Sequence, residues 1–160
     1  SKKQYVWGKA RNAFCLSFLI LFVSLMLNYG LLQLIFHQGK YIWLTPDIYP
    51  EDENRMYTIG YGCPVVVNLA NIMMTSILGG CISTVGTCLA MYLRDRKIVY
   101  GVTFMLWFIF VLIDDGLMSV LHPFTNMTLE RLVTAVLLIT FGYAAIALIP
   151  LAAEVKSDEI

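Results

Sequence analysis

Four apolar runs, each long enough to cross a lipid bilayer, occupy most of this 160-residue chain. They cover residues 13–36, 64–93, 98–121 and 129–153. A helix rises 1.5 Å per residue, so about 20 residues cross a hydrocarbon core about 30 Å thick. Charged residues make up only 14% of the chain, against about 25% in soluble domains. The sequence predicts an all-α membrane protein, a single four-transmembrane-helix bundle over residues 1–160, with outer loops at 38–63 and 122–128.

Lysine and arginine are distributed unevenly between the two ends of the predicted helices. One side carries eight of them: Lys2, Lys3, Lys9, Arg11, Arg94, Arg96, Lys97 and Lys156. The other side carries three: Lys40, Arg55 and Arg131. Because positively charged segments next to membrane helices stay in the cytoplasm, we predict a multi-pass plasma-membrane protein with cytoplasmic N and C termini.

The second run carries small residues at helical spacing. Two neighbouring ridges of this predicted helix include Ser76, Gly79, Gly80, Ser83 and Thr84. In lipid, helices associate through close backbone approach at small residues and through interhelical hydrogen bonds. We therefore expect these five residues to form either a packing face inside the bundle or a face that mates with another subunit.

Two other patterns predict which helix faces point inwards or outwards. An amide in lipid needs a hydrogen-bond partner, so Asn28 in the first run is predicted to point into the bundle. Phenylalanines recur every four residues and predict lipid-facing stripes on the first and third helices: Phe14, Phe18 and Phe22, then Phe104 and Phe108.

Ionisable side chains cluster near the predicted outer surface. Asp114 and Asp115 interrupt the third run roughly 24 Å from its cytoplasmic start, at 1.5 Å per residue. His37 and His122 lie at a similar predicted depth. We interpret this outer polar cluster as structural hydrogen bonding at the membrane boundary, with an ion or proton role or a metal site as alternatives. No cofactor and no metal ligand set is assigned.

The first outer loop contains two segments rich in β-forming residues, 40–45 and 55–61, separated by an acidic, proline-containing turn. This pattern predicts a small extracellular β-hairpin between the first and second helices. Its aromatic residues Tyr41, Trp43, Tyr57 and Tyr61 are expected to lie at the membrane interface. Alternatively, an exposed edge of the hairpin pairs with a neighbouring copy.

No catalytic signature occurs in the sequence: it lacks G-x-S-x-G, H-E-x-x-H, C-x-x-C and a phosphate-binding glycine loop. A net charge of zero gives no indication of nucleic-acid binding. We predict a protein that is not an enzyme, a structural membrane protein that self-associates laterally as a homo-oligomer among membrane lipids. The alternative is an accessory subunit of an ion channel or transporter that uses Asp114 and Asp115.

The layout of four spans, cytoplasmic termini and two short outer loops resembles Snakeskin, the small four-span protein of arthropod smooth septate junctions. Claudins share the layout, but their Gly-Leu-Trp and paired loop cysteines are absent, since Trp43 and Cys63 stand alone. The resemblance to Snakeskin involves no motif, so no site residues carry over. It implies a structural role in a cell junction and epithelial barrier, with the membrane protein Mesh and a tetraspanin as partners.

Overall fold

The chain is helical almost throughout the residues that the computed structural model describes, which are 2–36, 63–93, 95–113, 117–122 and 127–156. The helices are α1 (Lys2–Phe36), α2 (Pro64–Tyr92), α3 (Arg96–Leu112), α4 (Leu117–Leu121) and α5 (Leu129–Lys156). Within these described ranges, three segments are long and apolar enough to cross a membrane: Gln4–Phe36, Pro64–Tyr92 and Leu129–Ala153. The prediction of an all-α fold with apolar membrane-length helices is confirmed to this extent. The described residues contain no strand, and the predicted β-hairpin falls on residues outside them.

The third run differs from the single helix predicted over 98–121. α3 ends at Leu112, because Ile113 has extended backbone dihedrals (φ −69°, ψ 132°), and α4 is a separate helix of five residues. The sequence after Ile113 is Asp-Asp-Gly, which combines three weak helix formers. The prediction of one continuous helix was therefore wrong, and the 17 residues of α3 span only about 25 Å.

Local sequence signals account for several of the observed helix starts. α2 begins with Pro64 in its first turn, where the missing backbone donor costs nothing. Asp95 caps α3 by accepting a hydrogen bond from the Lys97 backbone N–H at 2.9 Å. Thr128 accepts a longer bond, 3.5 Å, from the Arg131 N–H at the start of α5. The α2–α3 connection is therefore short in sequence, since one helix ends at Tyr92 and the next begins at Arg96.

α1 starts much earlier than the apolar run at residue 13 that was used to predict it. The residues before that run are mostly good helix formers such as lysine, arginine, glutamine and alanine, so the helix extends back to Lys2. Val6 and Ala10, one turn apart, are only 2% and 5% exposed. These two residues therefore pack the first turns of α1 against the core.

α2 is the central helix of the described structure. It packs most extensively against α1 and α5 and less extensively against α3, whereas α1 and α3 make few contacts with each other. The buried residues form one cluster that draws on α1, α2, α4 and α5. Its members include Val6, Ala10, Leu78, Val85, Cys88, Val120, Ile139 and Tyr143. Among the described residues, α1 and α3 are thus connected mainly through α2 and make little contact with each other.

Candidate functional site

The predicted small-residue face of α2 lies against α1 of the same chain. A Cβ atom added to Gly80 would lie 2.8 Å from two ring carbons of Phe14 and 3.3 Å from the Phe14 carbonyl oxygen. A Cβ atom on Gly79 would overlap the Cδ1 atom of Leu21. The two helices also share a hydrogen bond, which Ser17 Oγ donates to Ser83 Oγ at 2.7 Å. The glycines let α1 approach the backbone of α2 directly.

The two remaining residues of that face satisfy their hydroxyls within α2. Ser76 is fully buried and donates to the Ile72 carbonyl at 2.7 Å. Thr84 donates to the Gly80 carbonyl at 2.8 Å. α1 covers the glycines, and the hydroxyls of Ser76 and Thr84 already donate to acceptors within α2. The face therefore needs no hydrogen bonds from a second subunit.

The phenylalanines of α1 do not form the lipid-facing stripe that their spacing predicts. Phe14, Phe18 and Phe22 are half-buried, and their rings stack in sequence with centroid separations of 6.2 and 5.7 Å. The Phe14 ring covers Gly80, so this part of the prediction was wrong. On α3 the corresponding rings are outward: Phe104 is 56% exposed and Phe108 is 40% exposed.

α1 presents a broad face that no described residue covers. None of the residues in its most apolar 18-residue window is buried. Ser24 and Asn28 lie on this exposed side, one turn apart, and neither side chain makes a hydrogen bond within the described part of the chain. The prediction that Asn28 points into the bundle was wrong. The other amide in this region, Gln33, is different because it donates to the Tyr29 hydroxyl at 3.1 Å.

Two cavities lie on either side of the first turns of α1. The α1–α3 cavity has a volume of about 890 Å³, and it is lined by residues of α1, α2 and α3 that include Lys9, Ser83, Thr87 and Arg96. The α1–α5 cavity has a volume of about 680 Å³ and is lined by residues of α1, α2 and α5. Both volumes are within the range of about 300–1,000 Å³ typical of small-molecule sites.

Tyr143 forms part of the wall of the α1–α5 cavity. Its side chain is 1% exposed, and its ring packs at a tilt on Phe110, with centroids 4.7 Å apart. Its hydroxyl is buried and has no hydrogen-bond partner among the described residues. A buried hydroxyl without a hydrogen-bond partner is costly to keep. Sequence patterns did not indicate this site, because Tyr143 lies in an apolar stretch of small residues.

The other predicted site residues fall mostly outside the described residues. This applies to His37, Asp114 and Asp115 of the outer polar cluster, and to Tyr41, Trp43, Tyr57 and Tyr61 of the hairpin. His122 is described, and it is exposed. Within the described ranges no three His, Cys, Asp or Glu side chains come together as a metal site would require.

Comparison with known proteins yields one distant relative. No protein-family model matches the chain, and no solved structure matches it. A protein of Bacillus subtilis (strain 168), described as the uncharacterized protein YybM, is 29% identical over 125 residues. The match covers 78% of this chain and 49% of that protein, so the chain spans about half the length of the curated relative it matches.

Proposed function

We propose that this chain is a non-enzymatic membrane protein that spans the bilayer four times and self-associates laterally through the uncovered face of α1. The observation that carries the proposal is the exposed pair Ser24 and Asn28 on a helix whose apolar window has no buried residue. The small-residue face of α2 does not serve this role, because α1 of the same chain occupies it.

Asn28 lies deep within the predicted first span. Counting along the apolar run 13–36, Asn28 lies roughly 22 Å from one end and roughly 12 Å from the other, at 1.5 Å per residue. Both distances place the amide inside the hydrocarbon layer. Lipid chains offer no hydrogen-bond partner there, so an unpaired side-chain amide is unfavourable. A second helix that exchanges hydrogen bonds with the amide stabilises it.

A second copy of this chain supplies the simplest partner. The asparagine amide carries both donors and an acceptor, so two Asn28 side chains related by a two-fold axis satisfy each other. Two-fold dimers use the same surface on both subunits. Ser24, one turn away on the exposed side, adds a small polar position at which two α1 helices can approach.

Orientation and span number belong to the same proposal. Lys9 and Arg96 line one cavity, which supports placing the start of α1 and the α2–α3 connection at one end of the bundle. By the distribution of positive charge this end is cytoplasmic. α3, although only 17 residues long, is the third of the four spans. An epitope tag at either end of the chain is expected to be reachable only after cells are permeabilised, and labelling of intact cells would contradict this topology.

The test of self-association uses the full chain in lipid vesicles, labelled with donor and acceptor fluorophores, at increasing ratios of protein to lipid. An interhelical hydrogen bond contributes on average about 0.6 kcal/mol, so losing a reciprocal pair weakens the dimer about eightfold. Asn28→Leu is expected to raise the apparent dissociation constant by this factor.

The matched control is Gln33→Leu, which removes an amide from the same helix that already has a partner in Tyr29. It is expected to leave energy transfer at the wild-type level. The proposal fails if Asn28→Leu leaves the dissociation constant unchanged, or if Gln33→Leu weakens association to the same degree.

We also propose two more specific roles, one in a cell junction and one in ion handling. A junction-organising role, with Mesh and a tetraspanin as partners, is one setting for lateral association, and the similarity to a Bacillus protein adds no support for it. The ion-handling alternative requires the outer polar cluster. Replacement of Asp114 and Asp115 by asparagine is expected to leave self-association intact. A loss of ion conductance with normal membrane localisation would favour the alternative.

A further inference from the structure

We propose that the α1–α3 cavity is a binding site for an anionic glycerophospholipid, with the phosphate at Lys9 and Arg96 and the acyl chain along α2. The site is separate from the Asn28 face and does not depend on self-association.

The mouth of the cavity combines two cations with two tyrosines. Tyr5 and Lys9 are one turn apart on α1, and Arg96 and Tyr100 are one turn apart on α3. The Lys9 ammonium lies 5.3 Å from the centroid of the Tyr5 ring, so the aromatic ring helps to hold the cation at the mouth. These four residues present positive charge and phenolic donors from two different helices to the same space.

The described residues that line the cavity include no aspartate or glutamate, so none of them neutralises this charge. Two cations that face one cavity without an acidic partner repel each other, and a phosphate between them removes that repulsion. Arginine and lysine are the side chains that proteins use to bind phosphate groups. The charge of the mouth is therefore complementary to an anionic headgroup.

The lining of the cavity combines charged, polar and apolar groups. The wall contributed by α2 runs from Leu93 to Ile82, which is roughly 16 Å along a helix. It carries hydroxyls at Thr87 and Ser83 between apolar positions such as Ile82 and Met91. A glycerophospholipid combines the same kinds of groups: a charged phosphate, polar ester linkages and a hydrocarbon chain.

The cavity lies between α1 and α3, two helices that the proposed topology places in the membrane. Among the described residues α1 and α3 both pack on α2 but make few contacts with each other, so a lipid can enter between them. Basic pockets between membrane helices bind anionic lipid headgroups. A small soluble anion could reach the two cations, but it would leave the apolar wall unfilled, and this favours a lipid as the occupant.

The experiment measures binding to the full chain, purified in a mild non-ionic detergent, by thermal stability and by native mass spectrometry. The probes are phosphatidylglycerol, the zwitterionic phosphatidylcholine and inorganic phosphate. Phosphatidylglycerol is expected to raise the unfolding temperature and to remain bound in the mass spectrum, and the other two probes are expected to do neither.

Two sets of variants locate the effect. Lys9→Gln with Arg96→Gln is expected to weaken phosphatidylglycerol binding about 20- to 30-fold, since each cation near a membrane surface contributes about fivefold. Arg11→Gln with Lys97→Gln removes the same charge from the same two helices at positions that do not line this cavity, and it is expected to bind like the wild type. Ala90→Trp fills the exposed wall of the cavity without changing charge, and it is expected to reduce binding even if the double glutamine variant does not fold.

The proposal is overturned by any of three results. Equal effects of phosphatidylglycerol and phosphatidylcholine would mean that charge is not recognised. Equal losses in the two double glutamine variants would indicate general surface electrostatics. Saturable binding of inorganic phosphate at the same residues would identify a site for a soluble anion.

Discussion

The close approach of α1 to α2 can be tested by placing the same methyl group at two glycines of α2. At Gly80 the new Cβ would lie 2.8 Å from the Phe14 ring and 3.3 Å from its carbonyl oxygen. At Gly86 the nearest atoms are the Cγ2 and Oγ1 atoms of Thr103, both at 3.5 Å, which is ordinary van der Waals contact. The two glycines belong to one helix and differ chiefly in the space beside them.

The expected magnitudes follow from these distances. Overpacking a close contact costs typically about 1–3 kcal/mol, and the Phe14 backbone oxygen cannot rotate away as a side chain could. Replacing a helical glycine by alanine gains up to about 1 kcal/mol in helix propensity. This gain is smaller in a membrane, because membrane helices remain formed after they separate. We expect Gly80→Ala to destabilise the protein by about 1–2 kcal/mol, and Gly86→Ala to leave its stability unchanged or raise it by less than about 1 kcal/mol.

The assay is reversible unfolding in mixed micelles with an increasing fraction of denaturing detergent, followed by tryptophan fluorescence. The quantity compared is the difference in unfolding free energy between the two alanine variants. Equal stabilities, or a Gly80→Ala variant more stable than Gly86→Ala, would show that α1 does not rest on the α2 backbone at Phe14.

The same assay checks two hydrogen-bond predictions. Tyr143→Phe removes a buried hydroxyl that has no partner among the described residues, and it is expected to raise the unfolding free energy by about 1 kcal/mol. Tyr29→Phe removes the acceptor of the Gln33 amide and is expected to lower the unfolding free energy by a similar amount. A loss of stability in Tyr143→Phe would mean that the Tyr143 hydroxyl is hydrogen-bonded. In a double-mutant cycle, Ser17→Ala and Ser83→Ala are expected to show a coupling energy of about 0.6 kcal/mol, because the two hydroxyls form the 2.7 Å hydrogen bond between α1 and α2. Additive effects of the two substitutions would argue against that hydrogen bond.

The sequence was sufficient for the type of fold because membrane helices follow from the length of apolar runs. The limits of α2 illustrate this: a proline start and a turn of charged residues bracket a single apolar segment, and the helix extends over Pro64–Tyr92. α3 shows where prediction from the length of apolar runs fails. A hydropathy run tolerates Asp114 and Asp115 near a membrane boundary, but it does not register that these residues and the following glycine are weak helix formers.

The faces of the helices were harder to predict than the helices themselves. A membrane helix has apolar residues on both its packed and its lipid-facing sides, so periodicity alone does not distinguish them. Phe14 was assigned to lipid and lies on Gly80, and Asn28 was assigned to the interior and is exposed. Lys9 and Arg96 were read only as indicators of orientation. The cavity that they share depends on the way α1 and α3 flank α2, and the sequence does not encode this locally.

The limited length of α3 has a consequence for the surrounding lipid. Its 17 residues reach about 25 Å, whereas the 29 residues of the adjacent α2 reach about 43 Å and a typical hydrocarbon core is about 30 Å thick. Each ångström of such mismatch costs a fraction of a kcal/mol, and a bilayer beside a short span adapts by becoming thinner. In the proposed four-span topology, the membrane is therefore expected to be thinnest along the α3 flank, so the protein should be most stable in lipids with short acyl chains and should concentrate in the thinner regions of a heterogeneous membrane.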